Sequence, residues 1–466
     1  MGKLQARLVV FIATLILAGT THARTAEQNY QSFCVSCHGP KLDGGLGGSL
    51  IDDQWNHGGT DADMARVIRE GIPAKGMPAW GKVLGDDDIR ALIIFIREQG
   101  AAAKTGEVEK KAAPDKGVFK SSSHNFTLEK VADGFGILWA VDFLPDNSLL
   151  VTQRDGHLWQ LKDGKRTEIK NIPEVWANSQ GGLLDVAVKP GEAESPWVYL
   201  TYSQPHNGNA MTAVVRGKIR DTTFADQQTI FSADKKFYTD RGYHFGSRVV
   251  FDGDYIYFGV GDRGARPQAQ DVTRPNGKIH RLYADGRVPD DNPFMKQADA
   301  IPSIWAFGVR NPQGMTLAAD GTLWETEHGP RGGDEVNIIE KAVNYGWPVI
   351  TYGMNYDGTP MTDKTSAPGM AQPKHYWVPS IAVTAIAEYR GDAFPRWQNQ
   401  LLVGSLAKQE VQLLTVNKGE ITHSELLMKN QGRVRDLVVG PDGLVYLVLT
   451  LEGDQPGAIY RMRPAN

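Results

Sequence analysis

Only two cysteines occur in 466 residues, which excludes a disulfide framework and leaves stability to a buried core. Neither sign of charge dominates. Fifty basic against 54 acidic side chains give −4, so there is no basic field for nucleic acid and no polybasic patch for anionic lipid. Beyond the N-terminal stretch, no run approaches the roughly 20 apolar residues that span a bilayer, and no integral membrane anchor is expected. Glycine and proline are plentiful instead, 51 and 25 residues, which marks a turn-rich chain suited to many short strands. The composition, 41% hydrophobic and 22% charged, is globular, and the length allows two or three domains.

Lys3 and Arg7, the apolar run Leu8 to Ala18 and the small-residue site Thr21-His22-Ala23 follow the order of an export signal. That run is about half the length needed to cross a bilayer. Residues 1–23 are read as a signal peptide, with the mature chain starting near Arg24 in an oxidising compartment, the periplasm of a Gram-negative cell.

Both cysteines lie in Cys34-Val35-Ser36-Cys37-His38, the C-x-x-C-H spacing of covalent c-type haem attachment. Two thiols so spaced can form thioethers to one porphyrin, and His38 then reaches the iron. A redox dithiol or a structural disulfide is the alternative for any exported C-x-x-C, yet neither needs the histidine. Met77, in Gly76-Met77-Pro78, supplies a second axial ligand, and a Met/His pair raises the reduction potential. Met64 and His57 compete with it, but Met64 keeps helical spacing with Val67 and Ile68 and reads as core. A last helix is predicted over 86–99, with acids in its first turn, a stripe of Ile89, Leu92, Ile93 and Ile96, and Gly100 to end it. Residues 24–101 resemble a class I cytochrome c domain. Residues 102–123 have hardly any large apolar residue and read as a flexible linker. Its reach is on the order of 25 Å, so the haem domain can dock on the next domain or swing away from it.

From Phe126 the period changes to alternation, and one phrase returns: apolar strand, Pro-Asp or Asp-Gly, apolar strand. It occurs at 140–151, 249–258, 315–324 and 437–446, with a looser copy at 184–201. Such recurrence indicates a propeller, and about 340 residues at roughly 50 per blade give six blades, with seven as the alternative. The expected fold is thus an all-β six-bladed β-propeller, over 124–466, preceded by a small all-α cytochrome c domain.

Polar clusters follow the strands at Ser179-Gln180-Gly181-Gly182, Tyr243-His244-Phe245-Gly246, Val260-Gly261-Asp262-Arg263, Arg310-Asn311-Pro312-Gln313-Gly314, Glu327-His328-Gly329-Pro330 and Gly432-Arg433-Val434-Arg435-Asp436. Each alone reads equally as turn chemistry. In this order they resemble the glucose/sorbosone dehydrogenase family, soluble sugar dehydrogenases that use pyrroloquinoline quinone (PQQ). The resemblance runs from Phe126 to Pro464 and is most specific over 308–314 and 327–338.

That resemblance implies a catalytic base at His244, an aspartate partner at Asp262 that fixes its tautomer, and Arg310 near the quinone, stabilising the negative charge that develops there as hydride arrives. It implies PQQ contacts at Gln180, Asn311, Ser380, Lys408, Arg433 and Arg435, the last two on one face of a strand by alternation. It also implies calcium at the carbonyls of Gly329 and Pro330, with a second calcium at Glu335 and Tyr345. His328 replaces the glutamine of the glucose-type members, so it can donate to PQQ or take a proton. The glucose-type members lack a haem domain, so substrate preference does not transfer.

The reading is a periplasmic PQQ-dependent aldose sugar dehydrogenase that takes C1 hydroxyls to lactones. It passes electrons to its own haem c and then to a downstream cytochrome, quinone or dye. Alternatives are a non-catalytic ligand-binding propeller with a redox-sensing haem, or a PQQ alcohol or sorbosone-type dehydrogenase. The eight-bladed alcohol enzymes resemble this chain less, because it has no spare cysteine for their vicinal disulfide.

Overall fold

The computed structural model describes residues 23–112, 114–451 and 456–465, so the expected signal peptide, apart from Ala23, lies outside the described residues. Five helices come first: α1 (Ala26–Phe33), α2 (Val35–His38), α3 (Asp61–Glu70), α4 (Asp86–Ala103) and α5 (Thr105–Ala112). Thr25 and Thr60 start α1 and α3 by capping boxes closed by Gln28 and Asp63. Tyr30 of α1 meets Phe95 of α4 at 5.7 Å between ring centroids. The stripe of Ile89, Leu92, Ile93 and Ile96 closes over Met64 and Leu84, so Met64 is core, as its spacing implied. Gly100 does not end α4. Three alanines, the strongest helix formers, carry the helix on to Ala103. Within the segment expected as a linker, the described residues hold α5 and the strand Val118–Lys120, which pairs with residues 125–127. Its Lys, Glu and Ala favour helix without needing an apolar face. Among the described residues, no helix is long and apolar enough to cross a membrane.

Among the described residues, Val118–Lys120 and the other strands form six antiparallel sheets, five of four strands and one of five. Their innermost strands are Leu138–Phe143, Leu183–Val188, Val249–Asp252, Pro312–Leu317, Val383–Glu388 and Arg433–Val439, and each meets the next around a closed ring. This is the expected six-bladed propeller. The repeated phrase is the hairpin from innermost to second strand in five blades. In the blade of Val383–Glu388 a longer connection replaces it, carrying the buried, stacked Phe394 and Trp397. Asn125–Phe135 closes the ring by pairing with the last strand, Gly457–Ala465.

Buried carboxylates pin blade to blade. Asp436 accepts from the Val141 amide at 3.0 Å, Asp142 from Val188 at 2.6 Å and Asp185 from Val249 at 2.7 Å. Arg248 joins Asp185 at 2.7 Å and Asp436 at 3.0 Å. Burial raises Asp142 to about 6 and Asp185 to about 7. These groups line a cavity of about 610 Å³ where the innermost strands finish. The carboxylates at this end of the channel are already bonded to amides and Arg248.

The opposite end is irregular. Five of the six innermost strands shift register against their neighbours near their starts. Bulges of this kind re-aim side chains beside functional sites.

The cytochrome docks through a second stripe of α4, Arg90, Ile94 and Glu98, spaced one turn apart. Glu98 pairs with Arg331 through two bonds of 3.0 Å. Ile94 lies against Gly332, its Cγ2 3.7 Å from where a Cβ would stand. Arg90 reaches the Thr351 carbonyl and lies 5.6 Å over the Tyr352 ring. Of the two arrangements open to a tethered haem domain, the docked one is present.

Candidate active site

The predicted residues gather where the innermost strands begin. His244 sits on the loop before Val249–Asp252 with φ +57°, a left-handed conformation that costs a non-glycine residue about 1–3 kcal/mol. Gln180 accepts its amide at 2.8 Å. His244 Nδ1 is 2.6 Å from Asp262 Oδ1. Asp262 is fully buried and also accepts from the Gly264 amide at 2.7 Å and Trp347 Nε1 at 2.8 Å. This arrangement leaves His244 Nε2 for a reacting group. Burial lowers the His244 pKa; the Asp262 bond opposes it and Arg310 adds to it, so the imidazole is neutral at pH 7. Burial alone would raise Asp262, but the bond and charge of His244, with Arg310, hold it below the usual carboxylate range.

Arg310 and Asn311 precede Pro312–Leu317, and both amides donate to buried Glu327. Arg310 Nη1 donates to the His328 carbonyl at 2.9 Å, and its guanidinium lies 5.3 Å over the Trp347 ring. Asn311 Oδ1 accepts from the Gly246 amide and from Gln313 Nε2, each at 3.2 Å, and Gln313 Oε1 accepts from Arg435 at 3.2 Å. His328 Nδ1 is 3.4 Å from Asn311 Nδ2. Burial, with Arg310 and Arg435 beside it, pushes His328 down to about 3, so it stays neutral rather than taking a proton.

The cations here outnumber their partners. Burial pushes Arg435 down to about 9, and Arg433, Arg154 and Arg248 push in the same direction. The Nε atoms of Arg310 and Arg435 and Nε2 of His328 are buried without partners. Such orphaned donors fit a ligand with several carboxylates, which PQQ is. Arg433 is exposed and Arg435 half-buried on either side of buried Val434, and a register shift follows between Val434 and Asp436.

Ser380 is beside the site with its proton committed. Its hydroxyl donates to Asp334 at 2.8 Å, and Asp334 also holds the amides of Gly329, Ile381 and Val383. Lys408 is half-buried in a turn anchored to the carbonyls of Ile381 and Ala382.

For calcium, Gly329 and Pro330 are buried, and the Pro330 carbonyl accepts from the Met354 amide at 3.1 Å. Glu335 faces Glu327 across the sheet, and Asn337 donates to both Glu335 and Glu325 at 3.3 Å. Burial raises all three glutamates, with repulsion from the charge of Glu327 adding to it at Glu325 and Glu335, and burial with Asp262 takes Glu327 to about 7. A divalent cation nearby would relieve that repulsion. The Tyr345 hydroxyl donates to the Ile338 carbonyl at 2.6 Å and accepts the Glu340 amide at 2.9 Å, so only its carbonyl is available. Among the described residues, no three His, Cys, Asp or Glu side chains group to hold a metal, so calcium would draw on backbone carbonyls.

In the cytochrome, α2 carries Cys37 and His38, with Cys34 at its N-cap. His38 Nδ1 lies 2.8 Å from the Gly48 carbonyl, which leaves Nε2 for iron. Gly47 packs on this ring, where a Cβ would stand 2.8 Å from Cε1. Burial and Cys37 raise the Cys34 thiol to about 11, opposite in direction to a redox dithiol. Met77 is half-buried on the loop between α3 and α4, and His57 is exposed. These residues fit a covalently attached c-type haem.

Four residues at the site have no role in the sequence reading: Trp347, Glu327, Gln313 and Tyr356. Gln313 and Glu327 left a signal, within Asn-Pro-Gln-Gly and Glu-His-Gly-Pro; Trp347 and Tyr356 are brought in by tertiary packing.

Fold and site together define a propeller dehydrogenase carrying a cytochrome c domain. The chain belongs to the glucose/sorbosone dehydrogenase family, whose model matches residues 135–461. Residues 21–96 match the family described as cytochrome c oxidase, cbb3-type, subunit III. The aldose sugar dehydrogenase YliI of Escherichia coli (strain K12) is 41% identical over 350 residues, 73% of this chain and 93% of that protein. The crystal structure of the soluble aldose sugar dehydrogenase from Escherichia coli in the apo form superposes at TM-score 0.68 with 38% identity, over 73% of this chain and 100% of that one. The PQQ-bound aldose sugar dehydrogenase from Streptomyces coelicolor, 22% identical, shares the fold at TM-score 0.60 over 73% of this chain and 98% of that one.

Proposed function

We propose that the protein oxidises the C1 hydroxyl of an aldose to the lactone with PQQ, in the periplasm, and passes the electrons to its own haem c. The observation that carries this reading is the neutral, strained His244, bonded at 2.6 Å to buried Asp262 beside a set of orphaned guanidinium donors. When bound, PQQ supplies a two-electron acceptor, calcium a Lewis acid and haem a one-electron acceptor.

The chain's own residues do the rest. His244 Nε2 takes the C1 hydroxyl proton, and Asp262 stabilises the imidazolium that results. Arg310, close enough to His244 to lower its pKa, stabilises negative charge developing opposite the sugar. Arg435, Arg433, Asn311, Gln180 and Lys408 hold the cofactor's carboxylates and carbonyls, His328 donates as a neutral imidazole, and Ser380 acts through Asp334. The Gly329 and Pro330 carbonyls take one calcium; Glu335 and the Tyr345 carbonyl take a second. Cys34 and Cys37 attach the haem, and His38 and Met77 ligate its iron. A downstream cytochrome, quinone or dye receives the electrons. The name of the Escherichia coli relative supports an aldose substrate.

A sugar screen on protein loaded with PQQ and calcium, following the haem absorption bands and an added dye, tests the reading. Sugar-dependent reduction of both is expected. No PQQ binding and no dye reduction with any aldose would favour the ligand-binding alternative.

A further inference from the structure

Residues 351–360 form a strap between the cytochrome and the mouth of the active site, and neighbouring side chains leave it in opposite directions. Met354 enters the cytochrome core and is buried, while its amide donates to the Pro330 carbonyl. Asn355 turns the other way and accepts from Arg266 at 3.0 Å; that guanidinium lies 5.9 Å over the ring of Trp347, which holds Asp262. Tyr356 is 68% exposed, with its hydroxyl 3.4 Å from Arg310 Nη2.

The cytochrome grips this strap along its length. Arg90 bonds the Thr351 carbonyl and covers the Tyr352 ring, and the Ala26 amide donates to the Gly358 carbonyl at 2.9 Å. Arg331, paired with Glu98, also donates to the Tyr356 carbonyl at 3.4 Å.

We infer that the cytochrome domain builds part of the sugar site: by clamping the 351–360 strap, it presents Tyr356 beside Arg310 as an aromatic platform for the pyranose ring. This rests on the sugar-oxidising reading above. A pyranose has an apolar C–H face between polar edges, and a tyrosine whose ring is open and whose hydroxyl is tied to a cation matches both. A strap already ordered by the cytochrome does not have to be ordered by the sugar, so docking strengthens sugar binding.

The test uses the full chain loaded with PQQ and calcium, D-glucose as probe and a dye as acceptor. The double variant Arg90→Ala, Glu98→Lys breaks the clamp from the cytochrome side, and its haem spectrum reports whether that domain is intact. Faster amide hydrogen exchange across 351–360 is expected, with KM raised about tenfold, kcat little changed and the PQQ titration unaltered. The charge swap Glu98→Lys with Arg331→Glu should recover slow exchange and a low KM. Tyr356→Ala should raise KM similarly while leaving the haem spectrum and Glu98–Arg331 docking unchanged. Unchanged exchange in the double variant, released exchange without a KM change, or an unchanged KM in Tyr356→Ala would each overturn the inference. If wild-type protein oxidises no aldose, the functional reading fails and the sugar platform fails with it; the exchange measurement still decides whether the cytochrome clamps the strap.

Discussion

A histidine can act as a base only while neutral, and the groups around His244 set where that ends. Its pKa lies below the ordinary value of about 6.5 because burial outweighs the Asp262 bond. Protonation therefore comes only at more acid pH, and kcat/KM should hold through neutrality and fall on the acid side of about 6.5. Asp262→Asn removes a group that raises this pKa, so the acid limb should move to lower pH while the plateau drops about 100-fold; an unmoved limb would uncouple the pair. His244→Ala should lower turnover by about 10²–10⁴-fold with PQQ still bound, and near-normal turnover of the loaded variant would reject the base. Arg435→Ala should weaken PQQ binding about 10- to 100-fold, as losing a charged hydrogen bond does, and keep activity at saturating cofactor, as a PQQ titration can check. At this scale His244, Asp262, Arg310 and Arg435 were legible because they stand in local phrases whose order survives in the sequence. Trp347 was not: it reaches Asp262 across 85 residues, and no local pattern encodes that distance.

Elements were legible where a turn is short and chemically explicit. Asp-Gly or Pro-Asp marks four of the inner hairpins and Lys189-Pro190 a fifth; the sixth blade is silent because its connection is filled by Phe394 and Trp397 instead. The end of α4 was misjudged for a related reason, since one glycine does not outweigh three alanines. What no periodicity shows is how the blades are tied to one another. Arg248 shared between Asp185 and Asp436 is such a tie, and Arg248→Met would leave two buried carboxylates without their cation. The expected loss is about 3–5 kcal/mol of unfolding free energy, read from a denaturant titration. A midpoint equal to wild type would show that the backbone amides alone satisfy those carboxylates.

For the whole molecule, the proposed reading makes the docked cytochrome the electron acceptor of the propeller it rests on. Sugar should reduce the haem at a rate independent of protein concentration, because donor and acceptor share a chain. Met77→Ala should leave the haem attached through Cys34 and Cys37 but lower its potential, slowing haem reduction and sparing direct dye reduction. Stopped-flow spectra at several protein concentrations separate these cases, and sugar that reduces dye while the haem stays oxidised would reject the electron route. The pairing of Asn125–Phe135 with Gly457–Ala465 sets a timetable of its own. The cytochrome's helices rest on contacts near in sequence and form quickly, whereas the propeller's ring cannot shut until its last strand has been made. On the proposed reading, a chain whose last strand is still unpaired can already hold haem at Cys34 and Cys37 before there is a closed pocket to receive PQQ, although its cytochrome core still waits for Met354.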